Sequence, residues 1–188
     1  MIPLDTLPPF FADKQEVVAE ILSRYPDYGR RSAVMPLLWE VQRAERHISD
    51  ARIAEIADIV GMRATEVKGV MSFYSTYHDN PIGKFHLQVC ATISCSLAGS
   101  DSMYDWLVNE LGIVNGETDR DGYFSLQKVE CVGSCTTGPV LQVNDTYYEL
   151  VSRSRLEELI RALRTGVMPE PWPARSGDKA GLSEEPAA

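Results

Sequence analysis

Through the first 80 residues the apolar positions recur at i, i+3, i+4 and i+7, the spacing of one helical face. Val18, Ile21, Leu22 and Tyr25 form the first such set, with Asp13 and Glu16 as its expected capping box. Val34, Leu37, Leu38 and Val41 form the second; Pro36 is tolerated near its start, where amides need no intrahelical partner. Ile53, Ile56, Ala57 and Val60 form the third, begun by Ser49 and stopped by Gly61, and Val67, Val70, Met71 and Tyr74 the fourth. Four short amphipathic helices must bury their stripes against one another or a neighbour, so residues 1–81 are expected to be an N-terminal helical bundle.

After Pro81 the period changes to two, with Phe85, Leu87 and Val89 alternating with His86, Gln88 and Cys90 as in a strand. A helix follows from about Asp101 to Leu111, closed by Gly112, then a second strand from about Tyr123 to Glu130. Residues 139–143 and 147–151 read as a hairpin turned by Asn144, Asp145 and Thr146. Ser154 and Glu157 make a capping box for a last helix carrying Leu156, Leu159, Ile160 and Leu163 and ending at Gly166. The order β-α-β-β-β-α over residues 82–166 is that of a thioredoxin-like α/β domain, and the chain as a whole is α+β. Residues 167–188 are rich in Pro, Gly and polar groups and read as a flexible tail or a strap laid on a partner.

Composition changes this picture little: 44% hydrophobic and 24% charged residues are those of an average soluble protein. No run approaches the roughly 20 apolar residues of a spanning helix. The N-terminus lacks the marks of a secretory or import signal, so a cytoplasmic protein is expected, reaching a membrane only through a partner. Charge changes more, because 18 basic against 27 acidic residues give a net charge of -9, which opposes binding to a phosphate backbone. Neither a dinucleotide-binding glycine fingerprint nor a phosphate loop occurs.

Chemistry enters with four cysteines, Cys90-x4-Cys95 and, after 35 intervening residues, Cys131-x3-Cys135. In a cytoplasmic chain thiols are kept reduced, so metal or redox roles come before structural disulfides. Strands joined by a right-handed βαβ crossover run parallel, and their carboxyl ends emerge at one edge of the sheet. If the two strands are near neighbours there, Cys90 and Cys131, each ending a strand, bring both thiol pairs to one site, between loops whose small or polar residues let amides approach sulfur. Two pairs suit a 2Fe-2S cluster, one pair per iron. Structural zinc stays open on spacing alone, though its sites more often use C-x2-C corners. A thiol-disulfide oxidoreductase would use C-x-x-C, and a Rieske centre two histidines, whereas His47, His78 and His86 fall outside the cysteine loops and read as surface or interface groups. Phe73, Tyr74 and Tyr77 read as core or interface, and Asp50, Glu55 and Asp58 as a solvated face.

From about Tyr28 to Gly166 the sequence resembles the thioredoxin-like 2Fe-2S small subunit of respiratory complex I, the NADH:quinone oxidoreductase. The resemblance is carried by Gly29-Arg-Arg-Ser-Ala-Val-Met-Pro-Leu-Leu-Trp-Glu-Val-Gln42, Gly69-Val-Met-Ser-Phe-Tyr74, Pro81-Ile-Gly-Lys-Phe-His-Leu-Gln-Val-Cys90 and Val129-Glu-Cys-Val-Gly-Ser-Cys135. It implies that Cys90, Cys95, Cys131 and Cys135 hold one 2Fe-2S cluster. It further implies single-electron exchange with FMN in a larger, NADH-binding 4Fe-4S flavoprotein subunit of the peripheral arm, at the inner face of the bacterial membrane. The chain would then be part of an enzyme without a complete NADH-oxidising site of its own. Equivalent subunits of NAD-linked hydrogenases and formate dehydrogenases share this pattern, and a zinc-stabilised scaffold is the alternative of another class. One departure is Gly138-Pro139 where the family often has Ala-Pro, from which an altered loop backbone or potential is expected.

Overall fold

The computed structural model describes residues 3–172 and divides into two compact units, 1–81 and 82–188. Among the described residues no helix is long and apolar enough to cross a membrane.

The first unit is built from the four periodic stretches: α1 (Gln15–Ser23), α2 (Val34–Glu45), α3 (Asp50–Val60) and α4 (Ala64–Phe73). Their stripes meet in one core, where Val18, Leu37, Leu38, Val41, Ile56 and Val67 are fully buried. Each such aliphatic side chain contributes about 1.5–3 kcal/mol over its exposed state. Ser49 caps α3 by accepting the Arg52 amide, and Gly61 stops it, as its sequence predicts. The expected Asp13–Glu16 box does not cap α1. The chain instead enters that helix from a 3-10 turn, Pro9–Phe11, anchored by the buried Phe11 ring, and the Lys14 amide donates to the Phe11 carbonyl at 3.0 Å. The acidic face is also less solvated than expected: Glu55 accepts the Phe10 amide at 3.1 Å and an Arg52 nitrogen at 2.6 Å, whereas Asp50, paired with Lys68, and Asp58 are exposed. Buried Gln42 ties down the end of the unit, donating to the Thr76 carbonyl at 2.6 Å and accepting the His78 amide at 2.8 Å. Tyr77 is core, whereas Phe73 is 79% exposed.

In the second unit β1 (Phe85–Cys90) is the centre of a mixed sheet, five-stranded among the described residues. It pairs in parallel with β3 (Phe124–Val129) and antiparallel with β4 (Leu141–Val143). The flanking strands are β2 (Glu117–Thr118) on β3 and β5 (Thr146–Tyr148) on β4. The crossover from β1 to β3 carries α5 (Ile93–Leu97) and α6 (Ser100–Leu111), and α7 (Arg153–Arg164) closes the unit. Leu87, Leu126, Leu141 and Val143 pack with Leu107 of α6 and Leu156, Leu159 and Leu163 of α7 in one core.

Three differences from expectation have local causes. β2 and α5 have two and five residues, too short to express a period. Thr146 joins the ladder opposite Val143 instead of the turn, leaving Asn144 and Asp145 as a two-residue connection with Asn144 at φ 53°. The cap of α7 is Ser152, which accepts the Arg155 amide at 3.3 Å; Ser154 lies inside the first turn, and Glu157 pairs with Arg153 rather than with a cap.

Residues 167–172 pack on this unit. Met168 and Trp172 lie against its core, the Tyr148 hydroxyl donates to the Pro169 carbonyl at 2.5 Å, and the Trp172 ring stands 5.1 Å from that of Tyr148. The rest of the expected tail, from 173, is outside the described residues.

Candidate functional site

Because β1 and β3 are adjacent and parallel, Cys90 at the end of β1 stands beside Val129 at the end of β3, and the chain reaches Cys131 two residues later. Ala91 donates its amide to the Val129 carbonyl at 2.9 Å, holding the roots of the two loops together. Cys95 comes back to the same place because α5 begins directly after Thr92 and carries it on its first turn. Cys135 opens a 3-10 turn, Cys135–Thr137, that leads into β4. A third segment, not singled out by the sequence, closes the site from beneath: fully buried Val140 packs on Cys90 and Cys95 and accepts the Cys90 amide at 3.3 Å.

All four cysteines are free thiols, Cys90 and Cys95 buried and Cys131 and Cys135 exposed. They meet as two pairs. The Cys131 and Cys135 sulfurs are 3.3 Å apart, and the Cys90 and Cys95 side chains are hydrogen-bond partners. Among the described residues no three His, Cys, Asp or Glu side chains gather as a single-ion site. His47 and His78 belong to the first unit, and His86 is buried within β1 rather than at a surface.

The loops aim donors at sulfur. Burial opposes ionisation of Cys90, but the Thr92 hydroxyl, 3.3 Å away, with the Thr92 and Val132 amides and the Cys95 thiol, holds its pKa below the ordinary thiol value. Cys95 is pushed up to about 11, first by burial and then by its hydrogen bond with Cys90; the Val140 amide offsets part of this. The Gly133 amide, 3.4 Å from the Cys131 sulfur, is the main cause of a lowered Cys131 pKa. Gly133 sits at φ +89°, a left-handed conformation that glycine adopts without strain and that turns this amide inward. Cys135 is raised, first by its hydrogen bond with Cys131 and then by the Cys131 charge. Each pair thus joins a sulfur that backbone amides or a hydroxyl approach to a second sulfur in contact with it. A cationic centre that displaces the thiol protons would meet four soft sulfur donors already approached by N–H and O–H groups, which is what an iron-sulfur centre requires.

Side chains outside the cysteines brace these loops. The Ser96 hydroxyl donates to Asp101, which lies 3.5 Å from the Lys128 ammonium near the end of β3. The Ser134 and Thr137 hydroxyls both donate to Glu149, the latter at 2.7 Å. Neither carboxylate has a spacing relation to a cysteine that the sequence would reveal. At Gly138 the space is ordinary: an added methyl would meet the Cys95 sulfur at 3.4 Å and the Ala98 methyl at 3.5 Å. The glycine found in place of alanine therefore does not force a different loop path.

A family model described as thioredoxin-like 2Fe-2S ferredoxin matches residues 18–164. NADH-quinone oxidoreductase subunit 2 of Thermus thermophilus is 56% identical over 158 residues, covering 84% of this chain and 87% of that protein. An NADH-quinone oxidoreductase subunit of Rhizobium meliloti is 41% identical over 150 residues, covering 80% of this chain and 88% of its own length. Among solved structures, an NAD+-reducing NiFe-hydrogenase in the H2-reduced state has a similar fold, with TM-score 0.64 and 18% identity over 73% of this chain and 23% of the hydrogenase chain.

Proposed function

The chain belongs to the thioredoxin-like 2Fe-2S ferredoxin family, and we propose that Cys90, Cys95, Cys131 and Cys135 hold its one 2Fe-2S cluster. In this reading it is an electron-transfer subunit of an NADH-quinone oxidoreductase, exchanging single electrons with FMN in a flavoprotein partner. The observation that carries the ligand assignment is the meeting of two free thiol pairs at the ends of adjacent parallel strands, with amides aimed at the sulfurs. Bound there, the group supplies a one-electron couple.

The chain's own residues do the rest. Cys90 and Cys95, each 1% exposed and covered by Val140, hold the inner side out of water. Thr92, Val132 and Gly133 direct hydrogen-bond donors at sulfur, which favours added negative charge. Cys131 and Cys135 form the open edge through which an electron enters or leaves. On α5, beside Cys95, Ile93 and Leu97 are 76% and 75% exposed, apolar groups that a docked partner would cover and that would dry the path between redox centres. Tyr28 and Phe73 offer the helical unit a further docking surface. The identity to the oxidoreductase subunits over most of both chains favours this assembly over a hydrogenase or formate dehydrogenase, and it supports a peripheral position on the cytoplasmic side of the membrane.

The experiment is iron and sulfide analysis of the purified chain with paramagnetic resonance after dithionite reduction. About two irons and two sulfides and a spin-one-half signal are expected. Stoichiometric zinc without sulfide would establish the scaffold alternative. Cys90→Ser and Cys131→Ser should each bleach or strongly perturb the visible spectrum, and an unchanged spectrum in either removes that residue from the ligand set.

A further inference from the structure

The Cys131–Cys135 loop is exposed, yet both flanks of Cys135 are tied to one carboxylate. Ser134, the residue before it, and Thr137, two residues after it, direct their hydroxyls at the same oxygen of Glu149, Oε1. The two hydroxyls are also 2.8 Å from each other, and the next backbone amide, Leu150, donates to the Thr137 carbonyl at 2.8 Å. From the other side, Glu149 is held by its own carbonyl, which accepts the Trp172 indole N–H, and it follows Tyr148, which is fully buried in the core.

We infer that Glu149 is the positioning residue of the outer ligand pair, fixing the direction of the Cys135 sulfur through Ser134 and Thr137. The inference rests on the cluster reading above. An ionised carboxylate only accepts hydrogen bonds, so it can take both hydroxyls at once, and bonds to a charged acceptor are about twice as strong as neutral ones. Electrostatics alone would disfavour a negative charge on a loop whose sulfurs must bear negative charge; geometry is what Glu149 supplies. Without it, Cys135 is left on a solvent-exposed loop with one fewer constraint on each side.

The test compares the full chain, loaded with iron and sulfide, with Glu149→Ala, Glu149→Gln and the double variant Ser134→Ala/Thr137→Ala. Three quantities are read: bleaching rate in excess chelator, the paramagnetic line shape after reduction, and the thermal unfolding midpoint. Loss of such an outer partner commonly changes metal retention roughly 10–100-fold. Glu149→Ala and the double variant should therefore bleach at least about 10-fold faster and shift the line shape. Glu149→Gln, which keeps a carbonyl acceptor, should recover most of the difference. A double variant with wild-type bleaching and line shape overturns the assignment, even if Glu149→Ala fails to fold. A change in unfolding midpoint with neither of the other readouts altered overturns it too, leaving only a structural role. Wild-type chain without iron and sulfide would instead overturn the cluster reading, and this inference with it.

Discussion

The Thr92 hydroxyl lies 3.3 Å from the Cys90 sulfur and also reaches toward Cys131, so one side chain serves a thiol from each cysteine loop. Hydrogen bonds to sulfur favour the more negative, reduced state. Thr92→Val keeps the shape and removes the donor, and is expected to lower the midpoint potential. If the lost bond contributes ~1 kcal/mol more to the reduced state, a one-electron couple, in which 59 mV is tenfold, shifts by about 40 mV. A redox titration followed by paramagnetic resonance checks it; an unchanged or raised potential means that the hydroxyl does not tune the centre.

Thr92 also marks where sequence reading stops. That Cys90 and Cys131 follow parallel strands and emerge at the same sheet edge is legible in the sequence, from the alternation in Phe85–Cys90 and the handedness of the crossover; that the two strands are direct neighbours is shown by the structure. The helical stripes were legible for the same reason, as periodicity reports which face is buried. Val140, Glu149 and Trp172 were not. Each acts across a long sequence separation, Trp172 reaching the carbonyl of Glu149 and Glu149 the flanks of Cys135, and such contacts leave no spacing pattern in a single chain. Caps are ambiguous in sequence, since Ser152 and Ser154 both offer a hydroxyl before the same apolar stripe and the tertiary path selects the former.

Gly83 is required by the close approach of β3. A Cβ there would lie 2.8 Å from the Phe124 carbonyl carbon and 2.9 Å from the Phe124 nitrogen, and backbone cannot yield as a flexible side chain would. The Gly83 amide also donates to the Ser125 hydroxyl at 2.7 Å. Gly83→Ala is expected to cost ~1–3 kcal/mol by overpacking, at about 4–8 °C of melting temperature per kcal/mol for a unit of this size. Calorimetry checks it, and a wild-type midpoint would show that the approach relaxes freely.

Gly138→Ala should behave in the opposite way. The residue has φ -66°, which alanine adopts without strain, and the added methyl would find ordinary contacts at Cys95 and Ala98. Reduced freedom of the unfolded chain should stabilise the protein by about 0.4–1 kcal/mol, with the visible spectrum retained. A bleached spectrum would show that the site depends on glycine at this position.

Glu66 makes the stability of the helical unit depend on acid. The Arg63 backbone amide, then the Arg63 and Arg31 guanidinium groups, hold its pKa down at about 2, below the ordinary 4.5. A depressed folded-state pKa means that the unfolded chain binds the proton first, so this stability is present above pH 4.5 and is lost as pH falls toward about 2. The pairs are exposed, so added salt should weaken the effect. Thermal midpoints measured across that window should fall less steeply in Glu66→Gln than in the wild type; parallel slopes would exclude this contribution.

The isolated chain is expected not to accept electrons from NADH. NADH delivers a hydride, two electrons with a proton, whereas a 2Fe-2S centre takes one electron, so a flavin must stand between them and pass the second electron elsewhere. No dinucleotide fingerprint or phosphate loop in the sequence suggests that this chain supplies that step itself. Oxidised protein mixed anaerobically with NADH should keep its visible absorbance, and addition of the FMN-bearing partner should bleach it and bring up the spin-one-half signal. Bleaching of the lone, flavin-free chain would overturn the carrier reading. If NADH fails even with the partner present, a dithionite-reduced sample added to oxidised partner distinguishes the causes. Prompt loss of the electron would mean a potential too low for NADH, and retention would mean that the outer edge at Cys131 and Cys135 is not the route to the flavin.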